Sequence, residues 1–338
     1  MKSVKRKLNG RIVIFVLTVC TIGIVAAPVR AADVMKFSHS WVKGDIRDNW
    51  ANDFAAFVEK GTNGALKFEM HPGAVLFKPK AQFDAIRKGA LDLCIWPLGW
   101  TSGKVPQLAL PELPGLIESP EKGARFAASE AGQRLASIAE EKGMKILAWG
   151  WLPCSMGAKE KEIKIPSDLK GMKMRGAVKP VEMTFQSAGA AITKMPSTEV
   201  YMALQTGTLD GLFTTNASFG SFRLYEVVKY LTMGKTHSLI NGLFVIIMSP
   251  DRFNKLTPAQ QQMMMKAGVE TTKAFQSQVD EVTAKTEKAF LDAGRTVIDM
   301  NADQYKLWVK EAEKSAWKWY REKVKGGAEL LELALKVK

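Results

Sequence analysis

The chain has 338 residues, 46% apolar and 24% charged, proportions that exclude a disordered tail, a collagen-like chain and a protein with many membrane spans. At roughly 100 to 200 residues per domain it has room for two domains. The net charge of +14 overstates the basic character of the bulk of the chain, because Lys2, Lys5, Arg6, Lys7, Arg11 and Arg30 stand in the first 31 residues with no acidic neighbour, and the rest sets 42 basic residues against 34 acidic ones.

Those first residues read as an export signal: a basic start, an apolar run from Ile12 to Ala27, then Val29-Arg30-Ala31. The pattern predicts cleavage between Ala31 and Ala32 and a periplasmic location. An apolar run of about 16 residues is short against the roughly 20 of a spanning helix. Cys20 lies inside that run, behind the bulky Val19, which argues against lipid attachment. Nothing after Ala32 is long and apolar enough to cross a bilayer, so a soluble protein outside the cytoplasm is expected. Cys94 and Cys154 remain there, and the sequence leaves open both a disulfide and two buried thiols.

The next elements follow in a βαβ order. A β-like run at Val34–Phe37, a helix from Asp48 to Lys60 and a strand at Leu66–Met70 are separated by the turn Asn63-Gly64, and His71-Pro72-Gly73 ends the strand. A helix over Lys80–Lys88 stops at Gly89, and a strand follows at Leu91–Trp96. The stretch Phe83–Asp92 recurs in step as Tyr201–Asp210, each copy a helix, a glycine cap and a strand. The repeat predicts two similar α/β lobes sharing one kind of helix-to-strand joint. Lys145–Trp149 reads as the strand that carries the chain between lobes, and Lys173–Arg175 as a short strand. Val245–Met248 reads as a fully buried strand of the kind central to parallel sheets. After Thr257-Pro258 two long helices are expected, Ala259–Ala293 and Ala302 to the C terminus, with Trp308, Trp317, Trp319 and Tyr320 packing on a lobe surface.

Catalytic signatures are lacking: no nucleophile elbow, phosphate loop, dinucleotide fingerprint or zinc-protease helix is present. His39, His71 and His237 have no ligand-like spacing, so no metal site is expected. Basic residues are interspersed with acidic ones, so no nucleic-acid partner is expected either. Arg175 ends a short strand and meets Gly176. Ligands gather at the carboxyl ends of strands in α/β sheets, and a guanidinium fork fits a carboxylate with two parallel hydrogen bonds. A surface salt bridge is the alternative.

Asp168–Arg175, Met195–Gly207, Leu209-Asp210-Gly211 and Leu224–Leu231, with Pro72-Gly73, Gly89–Asp92 and Pro258–Gln262, together resemble the DctP-type substrate-binding proteins of tripartite ATP-independent periplasmic (TRAP) transporters. The resemblance implies an α/β, two-lobed periplasmic binding protein of type II-like architecture, with a hinge, a long inter-lobe helix and a C-terminal helix. It places lobe I in residues 32–150 and 241–280, lobe II in 151–240 and 281–308, and the last helix, 309–338, on a lobe surface. It further implies a monomer that binds a carboxylate through Arg175 and delivers it to the small and large integral membrane subunits of a transporter, with no cofactor. Many relatives carry an arginine where Cys154 stands and an asparagine where Thr214 stands. Asn216 could supply the missing amide. The aromatic residues Trp41, Trp96, Trp100, Trp149, Trp151, Phe213 and Phe219 point to an organic acid with an apolar or aromatic body. The expected ligand-binding residues are Arg175, Trp41, Trp100, Trp151, Thr214, Asn216, Phe219, His39 and Cys154, with no catalytic residue. Two other functions compete with transport: a ligand sensor for a receptor, or an exported lyase or hydrolase using Glu112, Asp210 or His39.

Overall fold

A computed structural model describes residues 31–338; the basic and apolar stretches of the expected signal lie outside the described residues. Residues 32–338 form one compact unit. Its first part runs β1 (Asp33–Ser38), α1 (Ile46–Gly61), β2 (Leu66–His71), α2 (Gln82–Arg87), β3 (Leu93–Pro97), α3 (Pro120–Ala128), α4 (Glu130–Glu141) and β4 (Lys145–Ala158). The chain continues through β5 (Lys173–Arg175), α5 (Lys179–Ser187), β6 (Ala191–Ile192), α6 (Val200–Gln205), β7 (Gly211–Thr215), α7 (Asn216–Ser221) and β8 (Tyr230–Met233). It ends with β9 (Asn241–Met248), α8 (Pro250–Asn254), α9 (Pro258–Ser277), α10 (Val279–Asp292), β10 (Thr296–Asp299), α11 (Ala302–Ala312), α12 (Lys318–Lys323) and α13 (Gly327–Leu335).

The strands form two sheets that share β4. In the first, β1 lies parallel to β2 and β3, while β9 runs antiparallel between β3 and the Lys145–Pro153 half of β4. In the second, β5 lies parallel to β6 and β7, and the Cys154–Ala158 half of β4 runs antiparallel to β7 and β8, with β10 parallel to β8. The strand orders β2-β1-β3-β9 and β6-β5-β7-β4 are therefore the same arrangement used twice. Each sheet takes its antiparallel fourth strand from a segment that crosses over from the other.

The sequence repeat has a physical basis in this symmetry. Gly89 and Gly207 take left-handed φ values of +69° and +75°, which end α2 and α6 without a Cβ penalty. Three residues on, Asp92 Oδ2 accepts from the Lys36 N–H of β1 at 2.8 Å, and Asp210 Oδ2 accepts from the Lys173 N–H of β5 at 2.7 Å. In both copies the aspartate bonds the neighbouring parallel strand just where β3 or β7 begins.

Three expectations need correction. Val245–Met248 is buried within β9, but β9 is antiparallel to both neighbours; a continuous apolar run encodes burial on both faces and says nothing of strand direction. The helix expected over Ala259–Ala293 breaks at Gln278, so α9 packs on α1 and β4 while α10 packs on α7. The last expected helix is three helices: a π-helical turn at Glu313–Trp317 precedes α12, and extended Val324 with left-handed Gly326 separates α12 from α13. That terminal segment reaches the core. Trp308 is buried among Met174, Phe185 and Phe213, whereas Trp317, Tyr320 and Leu331 are buried with Leu110, Leu135 and Trp151. The polar ends of its rings are spent on backbone: Trp308 donates to Lys164 O, Trp317 to Pro114 O and Tyr320 to Gln107 O. Cys94 and Cys154 are both buried and unpaired.

Candidate functional site

Where the carboxyl ends of the parallel strands of both sheets meet, they enclose a cavity of about 40 Å³. Arg175 closes β5, Thr214 and Thr215 close β7, and Pro97 closes β3 with Trp100 just beyond; Trp41 follows β1, and Cys154 and Gly242 come from the crossing strands. Phe213, Phe244, Ile240 and Val178 supply apolar wall. Trp41 stands edge-on to Phe244 at 5.3 Å and Trp100 edge-on to Trp96 at 5.5 Å, so these rings hold one another in place.

Arg175 is 2% exposed. Its Nε donates to Met195 O at 3.2 Å, Nη1 to Phe213 O at 3.0 Å and Nη2 to Ser197 Oγ at 3.2 Å. A guanidinium has five N–H groups, so one on each terminal nitrogen is left, the pair that a carboxylate takes in a forked contact. Burial pulls its pKa down to about 10 against the field of Glu182, which leaves it charged at neutral pH. Glu182 itself pairs with Lys194 at 3.2 Å, and among the described residues no carboxylate pairs with Arg175. The glycine after Arg175 leaves room for close backbone approach, and the backbone that approaches is that of α5. A Cβ on Gly176 would lie 2.9 Å from the Glu182 Cα.

A second arginine, Arg47, enters the cavity from α1 and was not anticipated. It is held by Asp45 through two bonds of 2.7 Å, lies over the Trp41 ring at 4.4 Å, and reaches across to Thr215 Oγ1 at 3.3 Å and Ser218 Oγ at 3.2 Å. In sequence it sits in a run of mixed charges, Lys43–Asp48, that reads as a solvated helix start. Glu112 was considered only as an enzymatic acid. It lines the same cavity, with Oε1 accepting from the Leu243 N–H at 3.4 Å and Oε2 buried without a partner; burial pushes its pKa up to about 8.

Of the expected ligand-binding residues, Arg175, Trp41, Trp100, Thr214 and Cys154 line the cavity. Cys154 does so as a thiol, because burial pushes its pKa to about 12. The other four lie outside the lining. Trp151 is core, edge-on to Phe126 and pressed on Gly123, where a Cβ would sit 2.4 Å from its ring. Phe219 packs on Phe290 at 5.9 Å. Asn216 starts α7 and is spent on Ser155 and Thr283, so it does not replace the missing amide. His39 pairs with Asp48 at 3.1 Å behind Trp41, and burial lowers its pKa. The three groups considered for an enzyme lie apart: His39 is behind the wall, Asp210 is bonded to a strand, and of the three only Glu112 lines the cavity. Among the described residues no cluster of His, Cys, Asp and Glu could hold a metal ion, and no helix is long and apolar enough to cross a membrane.

A cleft between two like sheets, with a charged donor fork at its floor, defines a ligand-binding protein. The chain belongs to the bacterial extracellular solute-binding proteins of family 7, whose model matches residues 37–323. A solute-binding protein of Albidiferax ferrireducens is 38% identical over 305 residues, 89% of this chain and 90% of that one. A crystal structure of a TRAP periplasmic solute-binding protein from Rhodoferax ferrireducens with bound malonate superposes with a TM-score of 0.87 at 38% identity, covering 90% of this chain and 98% of that one. A second, from Roseobacter denitrificans with bound β-D-glucuronate, gives a TM-score of 0.84 at 25% identity, covering 90% and 100%. The chain is thus a TRAP-type solute-binding protein with the two-lobed α/β fold of that class.

Proposed function

We propose that this protein captures a short organic acid in the periplasm and hands it, chemically unchanged, to the integral membrane subunits of a TRAP transporter. The observation that carries this reading is Arg175: a buried guanidinium that lines the cavity with two N–H groups unspent. The lobes are residues 32–150 with 241–280 and residues 151–240 with 281–308, hinged where β4 and β9 cross at Pro153 and Asn241, and the protein acts as a monomer. Closing the cleft removes the ion pair from water, where screening is weak and geometry selects acids over neutral compounds.

Size and wall chemistry narrow the ligand. At roughly 10 to 15 Å³ per water-sized group, the cavity takes about three such groups, which favours the shortest acids over larger ones. The rings spend their faces on each other and on Arg47, which favours a short apolar body over an aromatic one. The Rhodoferax relative was crystallised with malonate, itself a short acid. A thermal-shift panel of acetate, propionate, pyruvate, malonate, benzoate and hexuronates tests the reading, because a ligand that binds only the folded state raises the melting temperature. Short acids should stabilise; stabilisation by hexuronates alone would overturn the proposal. Recovery of the acid unaltered after incubation separates transport binding from lyase or hydrolase action, and calorimetry of Arg175→Ala tests the clamp.

A further inference from the structure

Glu112 has no part in the carboxylate clamp, yet the fold goes to some length to hold it at the cavity. It ends the seven-residue 3-10 helical segment Pro106–Glu112 and is 2% exposed. Its Oε1 accepts from Leu243 N–H on β9. Its Oε2 fits only because residue 99 is glycine: a Cβ there would fall 1.5 Å from that oxygen. Among the described residues Oε2 makes no well-formed hydrogen bond; the Gly99 N–H is the one donor beside it. A buried, unpartnered carboxyl oxygen is costly unless something completes it.

The surroundings decide which protonation state it keeps. Arg175 from β5, Arg47 from α1 and Cys154 from β4 share the cavity with it. Arg47 is neutralised by Asp45, Arg175 is the remaining charge that meets the ligand, and Cys154 is a neutral thiol. The turn at 98–101 and β9 contribute only backbone N–H groups, and Val178, before α5, contributes an apolar side chain. On the far side of its own segment, Tyr320 of α12 is spent on Gln107 O. An ionised Glu112 would therefore stand beside an incoming carboxylate with no cation of its own, a like-charge arrangement that a closed cleft makes expensive.

We propose that Glu112 is a specificity-determining residue of this site, present as the neutral acid and donating from Oε2–H to a second oxygen of the bound ligand. The inference rests on the short-acid reading of the cavity. It narrows that class to acids carrying another acceptor, a second carboxylate, an oxo or a hydroxyl oxygen, within a few bonds of the carboxylate held by Arg175. In so small a space one short ligand touches both residues. Burial disfavouring the anion works in the same direction.

Two measurements test it. Infrared difference spectra of the ligand-free protein, assigned with Glu112→Gln, should show a protonated carboxyl at pH 7 that ionises only at higher pH. Titration in the ordinary carboxylate range would overturn the proposal whatever the ligand is. Calorimetry then compares malonate and pyruvate with propionate. For wild type, affinity for malonate should fall by about tenfold per pH unit above the Glu112 titration, as one linked proton requires. Glu112→Gln, which keeps a donor, should bind malonate within about threefold of wild type at pH 7 and lose that pH dependence. Glu112→Met, of similar length and without a donor, should lose tenfold or more for malonate and pyruvate and clearly less for propionate. Either variant suffices if the other does not fold. Equal losses for malonate and propionate, or an unaltered pH profile in Glu112→Gln, would sink the role of Glu112 alone. Failure of every short acid to bind wild type would instead sink the reading of the cavity.

Discussion

Arg175 concentrates the binding function in one side chain, and its removal has a calculable effect. Arg175→Ala should weaken acid binding by about 2 to 5 kcal/mol, since it strands a desolvated carboxylate; Arg175→Lys should restore part of that, having a charge but no fork. Calorimetry reads both, and unchanged affinity in the alanine variant would remove Arg175 from the site. This residue was legible in the sequence because a strand end, an arginine and a glycine coincide there. Trp41, Trp100, Thr214 and Cys154 were legible through family resemblance and strand-end position. Arg47 and Glu112 were not. Arg47 hides in a charged run whose ion pair with Asp45 forms over two residues, and Glu112 hides in Leu108–Leu113, where nothing local marks the residue as facing a cavity. His39, Trp151, Asn216 and Phe219 show the converse. Each stands close to the site along the chain, but its side chain is committed elsewhere: Trp151 in β4 to the core, Asn216 and Phe219 in α7 to Ser155, Thr283 and Phe290, and His39 just past β1 to Asp48.

At the level of elements, close approach of α9 to β4 is bought with a single missing methyl. A Cβ on Gly268 would lie 1.8 Å from Leu147 O and 2.8 Å from the Leu147 carbonyl carbon, both backbone atoms that cannot swing aside. Gly268→Ala should therefore destabilise the protein by about 1 to 3 kcal/mol in chemical denaturation, while Gly103→Ala, which meets nothing within 4 Å, should be near neutral. A neutral Gly268→Ala would mean that the helix rides higher on the sheet. The elements most readable in sequence were those with local punctuation: the Gly89 and Gly207 caps, the Thr257-Pro258 helix start, the βαβ opening. Thr257 does cap α9, its side chain and that of Gln260 bonding reciprocally. The break at Gln278 carries no such mark, because the helices there end to follow different neighbours, whereas Gly326-Gly327 does mark the gap between α12 and α13. β10 is four residues long and half exposed, so its pattern is too short to separate from a loop.

On the scale of the whole molecule, the two crossing strands matter most. β9 is inserted between β3 and the first half of β4, so a chain ending at Ile240 would leave both of those strands with an unpaired edge. Residues 32–240 produced alone should lack the cooperative thermal transition that the full chain shows by circular dichroism; a sharp transition in the fragment would show that β9 is dispensable. The same exchange sets an order of assembly. Every strand of the second sheet except β10 lies before residue 234, whereas the first sheet waits for residue 248. The strands synthesised earliest, β1 to β3, thus wait for β9 before their sheet is complete, and that long-range pairing is a slow step.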